Sequence, residues 1–117
     1  MIKEMEKEKR YYIDKLKRIL FEGEYLNGKR KGNWKEYNFE GQLKFEGEYI
    51  NDKRNGKGKE YIYYNKSFSN KDNINNIYSI FEGEYINNKR NGKGKEYTID
   101  GILIEEGEYL NDEKIIL

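Results

Sequence analysis

One phrase recurs through this chain. Phe-Glu-Gly-Glu-Tyr stands at residues 21–25, 45–49 and 81–85, and Glu-Glu-Gly-Glu-Tyr at 105–109. The spacings are 24, 36 and 24 residues, so the middle interval is one period with 12 residues added. A second phrase starts 11 residues after each of the first three: Gly32-Asn-Trp-Lys-Glu-Tyr37, Gly56-Lys-Gly-Lys-Glu-Tyr61 and Gly92-Lys-Gly-Lys-Glu-Tyr97. A fixed period of this size implies a repeat architecture, in which each unit buries its apolar face only against its neighbours.

Within each phrase the alternation has period two. Phe45, Gly47 and Tyr49 point one way, Glu46 and Glu48 the other, as in a strand with two unlike faces. Asn27-Gly28, Glu40-Gly41 and Asp100-Gly101 are turn signals, and Asn51-Asp52 and Asn87-Asn88 hold the equivalent place. Each unit therefore reads as a β-hairpin. The expected fold is mainly β, a single open antiparallel meander sheet of about seven strands. The repeats span 21–112, with units starting at 21, 45, 81 and 105, and 113–117 forms a C-terminal tail. Residues 65–77 are Asn-rich and without period, and read as a long hairpin loop inserted into the second unit.

Residues 1–20 lack glycine, and Ile2, Met5, Ile13, Leu16 and Leu20 recur at helical spacing. They predict one N-terminal amphipathic helix, laid over the sheet as a cap or lying on a membrane surface.

Charge sets the register. Pairing Glu46 with Lys59 and Glu48 with Lys57 places opposite charges face to face, which contributes up to ~1 kcal/mol per pair. That register puts Tyr49 opposite Gly56 and Gly47 opposite Gly58. A two-residue turn at Glu40-Gly41 then sets Lys35 against Glu46, Trp34 against Gly47 and Gly32 against Tyr49. Two rows result: Tyr25, Gly32, Tyr49, Gly56, Tyr85, Gly92, Tyr109, and Gly23, Trp34, Gly47, Gly58, Gly83, Gly94, Gly107. Tyrosine rings are expected over bare glycine backbone, with Trp34 filling the trough in the first unit.

Composition narrows the function. The chain has 117 residues, no His and no Cys, and a net charge of +1. Imidazole and thiolate chemistry are absent, so no catalytic, cofactor or metal site is expected. The carboxylates recur identically in every unit, whereas a catalytic pair should be singular and desolvated. The near-neutral balance gives no general attraction to nucleic acid. With a charged N-terminus and no apolar run of spanning length, the expectation is a cytoplasmic protein, peripheral to a membrane at most.

The aromatic-Glu-Gly-Glu-aromatic phrase, the Lys-Arg that follows it at Lys29-Arg30, Lys53-Arg54 and Lys89-Arg90, and the Gly-x-Gly at Gly56-Lys-Gly58 and Gly92-Lys-Gly94 resemble the MORN repeat (membrane occupation and recognition nexus). The resemblance covers residues 21 to about 112. The first unit, with Gly32-Asn-Trp34-Lys in place of Gly-x-Gly, resembles the bacterial variant found in proteins labelled as antitoxins. The resemblance implies an elongated antiparallel sheet, a binding or scaffolding role, and in some members association with acidic phospholipids.

Three functions compete. The leading expectation is a non-catalytic module that binds another protein through Tyr25, Trp34, Tyr49, Tyr85 and Tyr109, residue types enriched at binding hot spots; these aromatics can also be the domain's own core. The second is an acidic membrane bound by a basic hairpin edge of Lys29, Arg30, Lys31, Lys53, Arg54, Lys89 and Arg90. The third is an antitoxin that neutralises a partner. A homo-oligomer stays open.

Overall fold

Each Phe-Glu-Gly-Glu-Tyr phrase forms the heart of a strand. The computed structural model describes residues 8–13, 19–63 and 77–116, the first of these as backbone. In chain order the strands are β1 (Glu8–Ile13), β2 (Ile19–Leu26), β3 (Lys29–Tyr37), β4 (Leu43–Ile50), β5 (Lys53–Tyr63), β6 (Ile77–Ile86), β7 (Lys89–Tyr97), β8 (Leu103–Leu110) and the two-residue β9 (Glu113–Lys114). They form one open antiparallel sheet in sequential order, so every strand pairs with its chain neighbours. Among the described residues there is no helix.

The sheet exceeds seven strands because both ends of the repeat region extend it. Within the stretch expected to be helical over 2–20, Glu8–Ile13 is β1, running from Glu8↔Tyr25 to Ile13↔Ile19, and Ile19 and Leu20 open β2. Residues 2–7 and 14–18 lie outside the described residues. Two physical reasons favour a strand at Glu8–Ile13. Tyr11, Tyr12 and Ile13 suit a pleated surface, and β2 offers backbone that would otherwise be an unpaired edge. The offset is also that of the repeat. Glu8 faces Tyr25 as Gly32 faces Tyr49, Gly56 faces Tyr85 and Gly92 faces Tyr109. β1 thus holds the place of a repeat's second strand. At the other end, part of the expected tail, Glu113–Lys114, pairs with Tyr109 and Leu110 as β9. Of the insertion loop expected at 65–77, residues 65–76 lie outside the described residues, and Ile77 belongs to β6.

The hairpin turns are two residues long, with positive φ at both centres: Asn27 and Gly28, Asn51 and Asp52, Asn87 and Asn88, Asn111 and Asp112. That is the type I′ pattern, whose twist matches the flanking strands. Each later turn also clasps the unit before it. Asp52 N–H donates to Arg30 O at 3.2 Å while Arg30 N–H donates to Asp52 Oδ1 at 2.8 Å. The same reciprocal pair joins Asn88 to Arg54 and Asp112 to Arg90.

The glycine row holds across the whole repeat region: Gly23↔Trp34, Trp34↔Gly47, Gly47↔Gly58, Gly58↔Gly83, Gly83↔Gly94 and Gly94↔Gly107. The tyrosine row holds only between units. Inside each hairpin the register shifts, so Tyr49 faces Arg54 instead of Gly56, and Tyr85 faces Arg90 instead of Gly92. The cause is a bulge at Gly56 and Gly92, both at φ 104, a conformation that disfavours a side chain. The Glu48 carboxylate accepts the Lys57 N–H there at 2.9 Å, so Glu48 braces the bulge instead of facing Lys57. Between units, the Tyr37–Leu43 connection closes around Asn38, whose side chain accepts from Glu40 and Gln42 N–H, and not as the two-residue turn expected at Glu40-Gly41.

Phenylalanines, more than tyrosines, lie over the bare backbone. A Cβ on Gly58 would sit 2.5 Å from Phe45 Cζ, and one on Gly47 would sit 2.6 Å from Gly58 Cα. Trp34 covers Gly23 in the first unit, as expected from its place in the row. Gly58→Ala should therefore cost about 1–3 kcal/mol through overpacking and lower the melting temperature by several degrees. Lys57→Ala, one residue away and exposed, should leave thermal unfolding within about 0.5 kcal/mol of the parent.

Candidate functional site

A single sheet has two faces to account for. On the first lie the aromatic residues, and they are the core. Trp34, Phe45, Tyr49, Phe81, Tyr85 and Tyr109 are buried in one cluster, with Phe21 and Tyr25 packed against it. The rings meet edge to face: Tyr25 on Trp34 with centroids 5.3 Å apart, Phe45 on Tyr85 at 5.2 Å, Phe81 on Tyr109 at 5.2 Å. Trp34 is 1% exposed and Tyr85 2%. The five aromatics expected as binding residues thus lie together, four of them buried, and Trp34 spends its indole N–H on Glu24 O at 2.8 Å.

A guanidinium layer closes this face. Arg54 lies over the Phe45 ring at 3.9 Å and holds Glu36 with two bonds of 2.9 Å; the Tyr49 hydroxyl donates to the same carboxylate. One unit on, Arg90 lies over Phe81 at 3.7 Å and donates to Glu60 at 2.8 Å, and the Tyr85 hydroxyl donates to Glu60 as well. Arg30 sits over Phe21 at 4.7 Å and reaches Asp52 at 3.4 Å. Burial pushes the Glu36 and Glu60 carboxyls up, but the arginine bonds, the tyrosine bonds and the arginine charge outweigh it and leave both below the ordinary carboxylate value. Burial and the bonded carboxylates push the Tyr49 and Tyr85 hydroxyls well above theirs.

The expected basic edge is therefore divided. Arg30, Arg54 and Arg90 turn to the aromatic face and are half-buried, whereas Lys29, Lys31, Lys53 and Lys89 are exposed. Sequence reading missed Glu36 and Glu60 as their partners. The signal was present in the Lys-Glu-Tyr carried by the second strand of each unit, whose glutamate falls on the aromatic side.

The opposite face carries charge. Glu46 faces Lys59 and Lys35, and Glu82 faces Lys95 and Lys59. Lys59 Nζ lies 3.7 Å from Glu82. Tyr37 and Tyr61 hydroxyls donate to Glu22 and Glu46, each at 2.9 Å; burial and the Glu46 carboxylate push the Tyr61 hydroxyl up to about 12. Between two rows of these side chains the glycine backbone is bare. It floors a groove of about 790 Å³ running from Gly23 through Gly47, Gly58 and Gly83 to Gly94. A third row lies beside the hairpin turns of the same face: Ile50, Ile86 and Leu110 are 47%, 48% and 55% exposed, and Ile50 and Ile86 face Lys53 and Lys89.

Among the described residues, no group of three or more acidic, His or Cys side chains is placed to hold a metal ion, and no helix is long and apolar enough to cross a membrane. What the geometry defines is a single-layer β-hairpin repeat protein with one closed and one open face. The family model for the MORN repeat matches residues 21–33, 45–63 and 81–102, and these three matches support a MORN-repeat protein. That match is to the repeat as such and gives no support to an antitoxin-type first unit. No curated protein matches the chain. MORN repeats are non-catalytic modules generally associated with protein or membrane-lipid interaction.

The ion pairs make stability depend on acid. Because the folded Glu36 and Glu60 values are depressed, their contribution is fully present above the ordinary carboxylate range and is lost as pH falls through the folded values. Glu36→Gln should remove part of this dependence and cost about 3 kcal/mol near neutrality, since it leaves Arg54 buried without its counter-charge. Circular-dichroism melts from pH 7 to pH 3 check both. Glu108→Gln, on the open face, should change neither.

Proposed function

We propose that this chain is a non-catalytic binding module for another protein, and that the partner lies along the glycine-floored groove of the charged face. The observation that carries the reading is the asymmetry of the two faces. The aromatic face is filled by its own rings and closed by Arg54 and Arg90. The charged face leaves its backbone open over five glycines. Six strands spaced about 4.8 Å give a trough about 24 Å long, the reach of a peptide segment. The floor is bare backbone because its residues' side-chain positions point to the aromatic face, where a Cβ on Gly58 would meet Phe45, and lysines and glutamates on both walls offer contacts that fix orientation. The buried aromatics then serve recognition indirectly, by holding the floor flat.

The exposed Ile50, Ile86 and Leu110 beside Lys53 and Lys89 favour a second reading, attachment to an anionic membrane surface by that row. Lysines near such a surface contribute ~1 kcal/mol each, and the apolar side chains add burial.

One pair of variants separates the two. Lys35→Gln, Lys59→Gln and Lys95→Gln together remove three of the five lysines that line the groove without reversing charge. This triple variant, with an unchanged melting curve, should lose the protein captured from native cells by the parent chain. Ile50→Asp with Ile86→Asp should leave that capture intact and abolish sedimentation with phosphatidylserine vesicles. Retained capture by the triple variant would put the partner elsewhere on the molecule.

A further inference from the structure

The first strand of each earlier unit is enclosed on both sides: β2 by β1 and β3, β4 by β3 and β5, β6 by β5 and β7. β8 is enclosed by β7 alone over most of its length. On its other side β9 takes Tyr109 and Leu110, and the Ile115 N–H reaches Glu108 O at 2.8 Å. Among the described residues no strand pairs with Leu103–Gly107 on that side. Leu103 and Ile104 are 45% and 51% exposed there. A bare, partly apolar edge of this kind is a template for an added strand.

We propose that the outer edge of β8 is a docking site for an extended, lysine-bearing segment of another protein, which pairs antiparallel as a further strand. The sheet states the rule for the occupant three times. Glu22, Glu46 and Glu82 each face a lysine in the strand that follows: Lys35, Lys59 and Lys95. Glu106 is the fourth member of that row and meets Lys95 on the β7 side only, at 4.0 Å. Glu105 stands where the other units have phenylalanine and is held by Lys114 at 2.8 Å, so an ammonium fits at this edge and the glutamate that faces phenylalanine in the other units does not. A second copy of β8 is the wrong occupant. It would lay Glu105, Glu106 and Glu108 along one seam with their own duplicates, and like charges directly opposed are destabilising. This edge lies beyond the groove, with Lys95 the residue that touches both, so either assignment can fail without the other.

The probe is a synthetic peptide, Lys-Gly-Lys-Lys-Tyr-Ile-Tyr, which is the chain's own stretch 57–63 with Glu60→Lys. It is added to the full chain and followed by fluorescence anisotropy and amide hydrogen exchange. Slower exchange confined to Leu103–Gly107 is expected, with binding weakened about tenfold by Glu106→Lys and less by Glu106→Gln. A chain with Lys35→Gln and Lys59→Gln, groove substitutions that leave Lys95 beside Glu106, should bind the peptide as well as the parent does. Protection elsewhere, no protection, or equal binding of a peptide with its lysines replaced by glutamate would overturn the assignment.

Discussion

A guanidinium stacked on a phenylalanine, and clamped by a carboxylate from the preceding unit, is the interaction on which the rest of this structure depends. Among the described residues no second layer covers the apolar side of this sheet. Here Arg54 over Phe45, and Arg90 over Phe81, do what a packed helix or second sheet does elsewhere. Arginine suits the place. Its plane lies flat on a ring while its edge takes a carboxylate in two bonds, and it is more weakly hydrated than lysine. The buried glutamate is tolerable because its acceptors are used: Glu36 receives Arg54 and Tyr49, Glu60 receives Arg90 and Tyr85.

These clamps also carry the repeat from unit to unit. Glu36 belongs to the first hairpin and its partners to the second; Glu60 belongs to the second and its partners to the third. The turn residues Asp52, Asn88 and Asp112 bind the arginine of the unit before. Stability is then a sum of nearest-neighbour terms, as in other repeat arrays. The fourth unit departs from the series. Lys114 replaces the arginine and Glu105 the phenylalanine, and these two pair with each other instead of reaching back to Glu96.

The parts of this fold legible in sequence were those fixed by alternation and by charge. The glycine row, the Glu46–Lys59 pairing and the two-residue turns follow from a period of two and from opposite charges. The bulge at Gly56 was not legible, because Gly-Lys-Gly satisfies a regular ladder equally well on paper. What decides for the bulge is the Glu48 carboxylate capping the Lys57 N–H, a three-dimensional contact. The two-residue turn sets Arg54 opposite Tyr49 on the ring side and Lys53 opposite Ile50 on the other. Reading the Lys-Arg pairs as one basic edge missed this division. At Glu8–Ile13 the helical spacing of Ile13 with Leu16 and Leu20 outweighed the local preference of Tyr11-Tyr12-Ile13. The open backbone of β2 is information a sequence pattern does not contain.

The two-residue hairpin turn links architecture to the two faces. By setting Arg54 opposite Tyr49 and Arg90 opposite Tyr85, it closes the aromatic side and uses up the aromatic residues that most resemble hot spots. By setting Lys53 opposite Ile50 and Lys89 opposite Ile86, it keeps the remaining charge on the side where the glycine floor is bare. The floor rests on these rings: Phe45 and Phe81 fill the space under Gly58 and Gly94, where a Cβ would collide with them. A substitution on the closed face therefore acts on the open one through the backbone they share. Glu36 and Glu60 are distant from the groove walls in function, yet they hold Tyr49 and Tyr85 against the rings that support its floor. This supports placing the aromatic residues as structural determinants of binding, and the lysines and glutamates of the charged face as its contact residues.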